Sequence, residues 1–280
     1  MTFGEPDASY SGEGSSHDMM IRGSKFHDMW FAFYSRGAYN IVVDGNEYYN
    51  NIKYALDPHS GTREMTITNN WLHHNPIGAI CSDRCSNILI EGNRVEHNTD
   101  HGIYFSRNMY DSIVRNNHVY NTTSGITVSE SPNNQIYNNT IEGATSQGIR
   151  LFNPPEPPYD GLTENNLVYN NIIASSEDDI SATRSHDNTL ESNRFSNIQS
   201  SEYQLSGDAS IVIRGQRFDN ALIAETGSST NNLVKIVDSG IIEVNDPADD
   251  DDYEDGTYLN TDDTPYRKII SDGDSILINS

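Results

Sequence analysis

The chain has 280 residues, a net charge of −24 and 35% hydrophobic residues: enough for one elongated domain or two small ones, but too polar to fill a deep spherical core. The acidity excludes nucleic acid as an expected partner and suits a halophilic or extracellular setting. No apolar run approaches the ~18–20 residues that cross a bilayer, so no membrane insertion is expected.

The charge is uneven. Residues 1–150 carry 10 Lys+Arg against 16 Asp+Glu, net −6, and residues 151–280 carry 7 against 25, net −18. The front half is therefore the expected place to receive an anion. The opening Met1-Thr2-Phe3-Gly4-Glu5 lacks the basic and apolar regions of a secretion signal. The expectation is a piece of a larger secreted protein, monomeric, acting outside the cell or at its surface.

In chain order the first feature is a repeat. The pattern apolar-x-Asn/Gly-Asn-x-apolar runs from Ile21-Arg22-Gly23-Ser24-Lys25-Phe26, through Ile67-Thr68-Asn69-Asn70-Trp71-Leu72, to Ile213-Arg214-Gly215-Gln216. Its fourth position falls at 24, 46, 70, 93, 117, 139, 171, 193 and 216, at spacings of 22 to 24 with one of 32. Apolar residues two or three apart do not fit the 3.6-residue period of a helix. Leucine-rich repeats share the period, but their Leu-x-x-Leu-x-Leu signature is missing. The pattern predicts an all-β solenoid, a right-handed parallel β-helix whose coils stack ~4.8 Å apart. Asn at the repeated turn tolerates the left-handed region and can hydrogen-bond to Asn of the next coil. Such a stack buries Ile, Val, Leu and Phe while most other side chains face water, which is how so polar a chain can fold.

Eight or nine residues after each ladder position comes a second rung, seen in Gly78-Ala79-Ile80, Gly102-Ile103-Tyr104-Phe105, Gly125-Ile126-Thr127-Val128 and Gly148-Ile149-Arg150-Leu151. Tyr54-Ala55-Leu56-Asp57 occupies the same place, with Tyr54 read in the position of the glycine. Alternation predicts Ile126 and Val128 inside, and Thr127, Ser129, Tyr104 and Ser106 exposed. Cys81 and Cys85 form a lone C-x3-C, which is weak evidence for metal; a local disulfide and free, partly buried thiols are the other readings. The coil of 32 holds a proline-rich insertion from Asn153 to Gly161, either a tolerated surface loop or an overhang that supplies Tyr159 to a groove. The β-helix is expected to span residues 1–245. Residues 246–280 read as an acidic loop followed by capping strands at Lys268-Ile269-Ile270 and Ser275-Ile276-Leu277-Ile278. Calcium is the one cofactor the acidic run suggests, although the spaced D-x-D-x-D-G loop that would hold it is absent. No other cofactor or metal site is expected.

The stretch from Tyr54 to Arg107 gathers a phenol, a carboxylate, two imidazoles and a guanidinium. That set suits proton transfer at a carbon next to a carboxylate, which requires the carboxylate neutralised and an acid and a base on opposite faces. Tyr54-x-x-Asp57-Pro58-His59 followed by Asp100-His101-Gly102 resembles the mannuronan C-5-epimerases, right-handed β-helix enzymes that convert D-mannuronate to L-guluronate within alginate. His101-Gly102-Ile103-Tyr104-Phe105-Ser106-Arg107 is also similar to the His-Gly-apolar-Ser-Arg segment of the periplasmic members. The resemblance covers roughly residues 18–220. It implies an anionic polyuronate as substrate, with Tyr54, Asp57, His59 and His101 as catalytic residues and Ser82 or Asp83 as the match for an acidic residue on the intervening rung.

His59 is a plausible base, since an unperturbed imidazole titrates near neutrality, and Tyr54 a plausible acid, with the two roles interchangeable. Arg107 could pair with the substrate carboxylate in bidentate fashion, or a protonated His101 or Asp57 could donate to it. Asp83, Arg107, Lys53, Arg84 and Arg150 are the expected substrate-binding residues, and the four cations among them are expected to keep the groove neutral or positive. His73, His74, His97 and His118 lie beside the turns and are read as surface residues. A lyase on the same site, or a β-helix that only binds glycan, are the other functions weighed.

Overall fold

The computed structural model describes residues 2–3, 16–155, 162–197, 201–206 and 209–214, and the later strands Leu222–Glu225, Asn232–Val237, Ile242–Asp246, Tyr266–Ile270 and Ser275–Ile278. Ladder position Gln216, the insertion residue Tyr159 and the acidic run after Asp246 lie outside these residues. Among the described residues every regular element is a strand.

Each coil contributes to three sheets. The first contains Phe31–Arg36, Tyr54–His59, Ile77–Ser82, His101–Ser106, Ser124–Ser129 and Gln147–Phe152; the second contains Tyr39–Asp44, Arg63–Thr68 and Ser86–Glu91; the third is built of short strands such as Trp71–His73 and Arg94–Glu96. Equivalent strands of successive coils pair in parallel. This is the solenoid that the 23-residue spacing predicts. At the far end, Tyr266–Ile270 pairs antiparallel with Ile242–Asp246, and Ser275–Ile278 with Asn232–Val237. The C-terminal strands thus fold back onto the first and second sheets.

The core is a column of stacked apolar side chains. On the third sheet Leu72, Val95, Val119, Ile141 and Ile173 lie in register, all fully buried. Each contributes about 1.5–3 kcal/mol by leaving water. Cys81 and Cys85 are free thiols within this core, not a disulfide.

The repeated turn divides its work between two residues. The residue before each ladder position takes the left-handed conformation, as at Gly45, Asn69, Gly92, Asn116, Asn138 and Asn170. The ladder asparagine itself is buried and accepts a backbone proton from the coil before: Asn46 N–H donates to Asn70 Oδ1, Asn70 N–H to Asn93 Oδ1 and Asn93 N–H to Asn117 Oδ1, each at 2.9 Å. Its side-chain amide donates to a carbonyl, as Asn93 Nδ2 does to Ile67 O at 2.9 Å. Two further ladders occupy other corners, through Asn51, Asn75 and Asn98 and through Asn134, Asn166 and Asn188. Their sequence signal is an asparagine five residues after, or five before, the first ladder.

The glycine rung sits one residue away from the sequence reading. Tyr54 is level with Ile77 and His101, so Ala55, not Tyr54, stands at the place of Gly78 and Gly102. The glycines answer a close approach between coils: a Cβ on Gly102 would lie 2.6 Å from Gly125 O and 2.6 Å from a Val119 methyl. The expected exposure of Ser106, Thr127 and Ser129 is also corrected. All three are buried, Thr127 with its Oγ1 3.0 Å from His101 Nδ1 of the coil before.

Replacing Asn93 by Leu leaves the buried Asn70 N–H without its acceptor and removes the side-chain bond to the Ile67 carbonyl. At about 1–3 kcal/mol per orphaned group, Asn93→Leu should lower unfolding free energy by about 2–4 kcal/mol in a urea titration. A loss below about 0.5 kcal/mol, the size of an ordinary surface effect, would show that the ladder does not hold the coils.

Candidate active site

The outward side chains of the first sheet form three rows along the axis. The first contains Phe31, Tyr54, Ile77 and His101; the second Tyr34, Asp57, Ile80 and Tyr104; the third Arg36, His59, Ser82 and Ser106. Tyr54, Asp57 and His59 therefore cross the sheet on one strand, one in each row. A groove of about 790 Å³ lies over them, bounded by Phe31 and Tyr34 at one end and Phe152 and Pro154 at the other. It spans six strands, roughly 24 Å at ~4.8 Å per step.

Asp57 forms the floor. It is 2% exposed, and its Oδ1 has no hydrogen-bond partner among the described residues. Burial pushes its carboxyl up to about 7, against a smaller opposing pull from Arg107. A carboxylate taken from water loses solvation that the site replaces only in part, so the proton is held up to about neutral pH. Tyr54 is shifted upward too, first by burial and then by Asp57, with Arg107 opposing.

His59 moves the other way. Burial lowers it, and Asp83 only partly offsets the shift. At neutral pH it is therefore an uncharged imidazole. Its Nδ1 lies 2.6 Å from Ser60 Oγ, which donates to Asp83 Oδ2 at 2.9 Å. Arg107 lines the groove just past the strand His101–Ser106, in a turn where its φ is 61°, and its charge reaches Asp57, Tyr54 and His59.

The other expected residues stand further off. His101 shares the row of Tyr54 but does not line the groove. Its ring packs 4.5 Å from that of Tyr104, and its Nδ1 is 3.0 Å from Thr127 Oγ1. Asp83 sits behind Ser60. Lys53 is exposed with its ammonium over Trp30, Arg84 is exposed in a turn, and Arg150 lies half-buried against Phe152 at 4.1 Å. Arg107 is the only cation among the lining residues, where Asp57, Asp100 and Glu130 are the carboxyls. Arg150 reaches the groove only through Phe152, and Lys53 and Arg84 do not line it.

Sequence reasoning missed Phe31 and Tyr34. Tyr34 is level with Asp57, and its ring is 5.6 Å from that of His59. The coil-to-coil alignment of Phe31-x-x-Tyr34 with Tyr54-x-x-Asp57 was the available signal. Among the described residues no group of three His, Cys, Asp or Glu could hold a metal ion.

Fold and site together define a right-handed parallel β-helix with a polar groove on one face. Residues 11–154 match the family described as a right handed beta helix region, and the chain belongs to that family. It is 33% identical over 136 residues to a mannuronan C5-epimerase of Pseudomonas putida, covering 48% of this chain and 26% of that protein. It is 36% identical over 121 residues to one of Pseudomonas syringae, covering 42% and 23%. The matches thus span about a quarter of these curated relatives. Among solved structures, the A-module of the Azotobacter vinelandii mannuronan C-5 epimerase AlgE4 superposes with a TM-score of 0.60 at 20% identity, over 75% of this chain and 58% of that one, which shows a shared fold.

The Asp57 carboxyl makes a prediction about stability. Its folded value, about 7, lies above its ordinary 3.8, so between those values the folded state holds a proton that the unfolded state releases. Stability from this group is full below about pH 4 and falls as pH rises to about 7. Asp57→Asn removes this dependence. Urea titrations should show the variant matching the native protein near pH 4 and exceeding it by a few kcal/mol at pH 8; a constant difference across that range would contradict the assignment.

Proposed function

We propose that the chain is a polyuronate C5-epimerase acting on mannuronan. The carrying observation is the strand Tyr54–His59, which sets a neutral imidazole and a protonated phenol on either side of a protonated carboxyl. Five residues at about 3.3 Å each place the Tyr54 and His59 α-carbons roughly 16 Å apart, and both side chains line the groove between them. The family resemblance and the names of the curated relatives support the same reading.

The C5 proton of a uronate becomes acidic only when the adjacent carboxylate is neutralised. Arg107 supplies a positive charge, and Asp57, protonated, donates a hydrogen bond. A bound anion holds the Asp57 proton more firmly still. His59 takes the C5 proton and becomes imidazolium, and the C–H electron pair moves into the enolate of the carboxyl group. Tyr54 returns its phenolic proton to C5 from the opposite face. Exchange with solvent then resets both groups. The opposed shifts of the two residues suit these roles in this direction. His101 braces Tyr104 beside the groove. A single chain forms the whole groove, so a monomer suffices, and a polymeric substrate places the protein outside the cytoplasm. Among the described residues, no helix is long and apolar enough to cross a membrane.

Incubation with polymannuronate in D2O should give guluronate NMR signals with deuterium at C5, because the returning proton comes from an exchangeable phenol. Unsaturated chain ends would indicate a lyase, and an unchanged polymer a glycan-binding protein. Tyr54→Phe keeps the ring and removes the ionisable hydroxyl, so turnover should fall by roughly 10²–10⁴-fold with thermal unfolding unaltered. Turnover at the native rate would remove Tyr54 from the chemistry.

A further inference from the structure

The hydrogen-bond chain behind His59 has a direction. Ser60 Oγ carries one proton and gives it to Asp83 Oδ2 at 2.9 Å. The same oxygen lies 2.6 Å from His59 Nδ1, and with its own proton committed it can only accept. Nδ1 must therefore be the protonated nitrogen, and Nε2 carries the lone pair. Ser60 is 2% exposed, so water does not compete for the bond. Ser60 and Asp83 are both in the left-handed region, at φ 48° and 59°. Their backbones are tied to the next coil by Ser60 N–H to Ser82 O at 3.2 Å and Asp83 N–H to Ser106 O at 3.1 Å. The chain is thus built into two consecutive turns of the solenoid.

We propose that Ser60 and Asp83 are positioning residues that hold His59 in the Nδ1–H tautomer, with Nε2 free to act as the base. This rests on the reading of His59 as the base. Asp83, expected from sequence to touch substrate, then works through Ser60. When His59 takes a proton on Nε2, the positive charge stays on the ring and the Nδ1 proton stays in place. Asp83, 3.9 Å from Nδ1, stabilises that charge without accepting a proton. A free imidazole prefers its proton on Nε2, the tautomer that cannot take a proton from sugar, so the orientation has to be imposed.

The test is the 15N NMR spectrum of the His59 ring at mildly alkaline pH, which distinguishes the protonated nitrogen from the bare one and needs no substrate. The native protein should show Nδ1 protonated and Nε2 bare. Ser60→Ala should shift the ring toward Nε2–H. Asp83→Ala frees the Ser60 hydroxyl to donate to Nδ1 and should produce the same shift with Ser60 still present. Asp83→Asn keeps an acceptor for Ser60 and should retain Nδ1–H. With polymannuronate, Ser60→Ala and Asp83→Ala should lose about 10–100-fold in kcat, the range that orienting groups command at other sites, with KM little changed. A native spectrum showing Nε2–H, or a tautomer unaltered in both alanine variants, would overturn the proposal. If the native protein leaves polymannuronate unchanged while the tautomer shifts occur as stated, the functional reading fails and the positioning chain stands. If Ser60→Ala does not fold, the two Asp83 variants decide.

Discussion

At each repeated turn a backbone N–H points into the wall of the solenoid, beyond the reach of water, and the side-chain oxygen of the asparagine one coil on accepts its proton. That bond recurs from Ser24 to Asn193 at about 3 Å. A buried polar group left without a partner costs more than a satisfied one gains, so the ladder acts chiefly by excluding other registers. A slip of one residue between coils would orphan donors and acceptors along its length. It would also turn apolar side chains outward, because strand side chains alternate.

The site inherits its geometry from that register. Rows of side chains on the first sheet line up because the turns do, and Tyr54, Asp57 and His59 occupy three rows because they sit on one strand. What separates them chemically is burial. The same loss of solvation raises a carboxylic acid and a phenol and lowers an imidazole. A single desiccated strip therefore yields two proton donors and one proton acceptor near neutrality. Arg107 opposes the upward shifts of Asp57 and Tyr54, yet burial is the larger cause for both.

The strong net acidity of the chain and an anionic substrate are compatible only through distribution. Most of the excess negative charge belongs to residues 151–280. In the groove itself Arg107 is the only lining cation among the described residues, beside the carboxyls of Asp57, Asp100 and Glu130. Asp57 carries only part of a charge at neutral pH. At physiological salt, exposed charges beyond about 8 Å are largely screened, so the charges that line the groove matter more to an approaching anion than the distant acidic segment.

The periodic spacing of Asn70, Asn93, Asn117 and Asn139 was enough to specify a stack of short strands, since no helix buries residues at that interval. Tyr54, Asp57 and His59 were legible as a group because the Tyr-x-x-Asp-Pro-His motif carries them on one strand; alternation accounts for the common face of Asp57 and His59 but not for that of Tyr54, three residues from Asp57. Three things were not legible. The glycine rung was placed one residue off, because lateral register depends on how the coils touch, and Gly102 is required by Gly125 and Val119 of the next coil. The left-handed residue and the ladder residue merged in sequence, since both positions accept asparagine. Ser60 carried no signal, and Asp83 was assigned to the substrate, because a hydrogen bond between consecutive coils exists only once they are stacked. Residue order along the chain therefore determined the strands and their stacking. The charge state of Asp57 and the tautomer of His59 were decided by tertiary structure alone, because solvation and hydrogen-bond direction depend on neighbours 23 or more residues away.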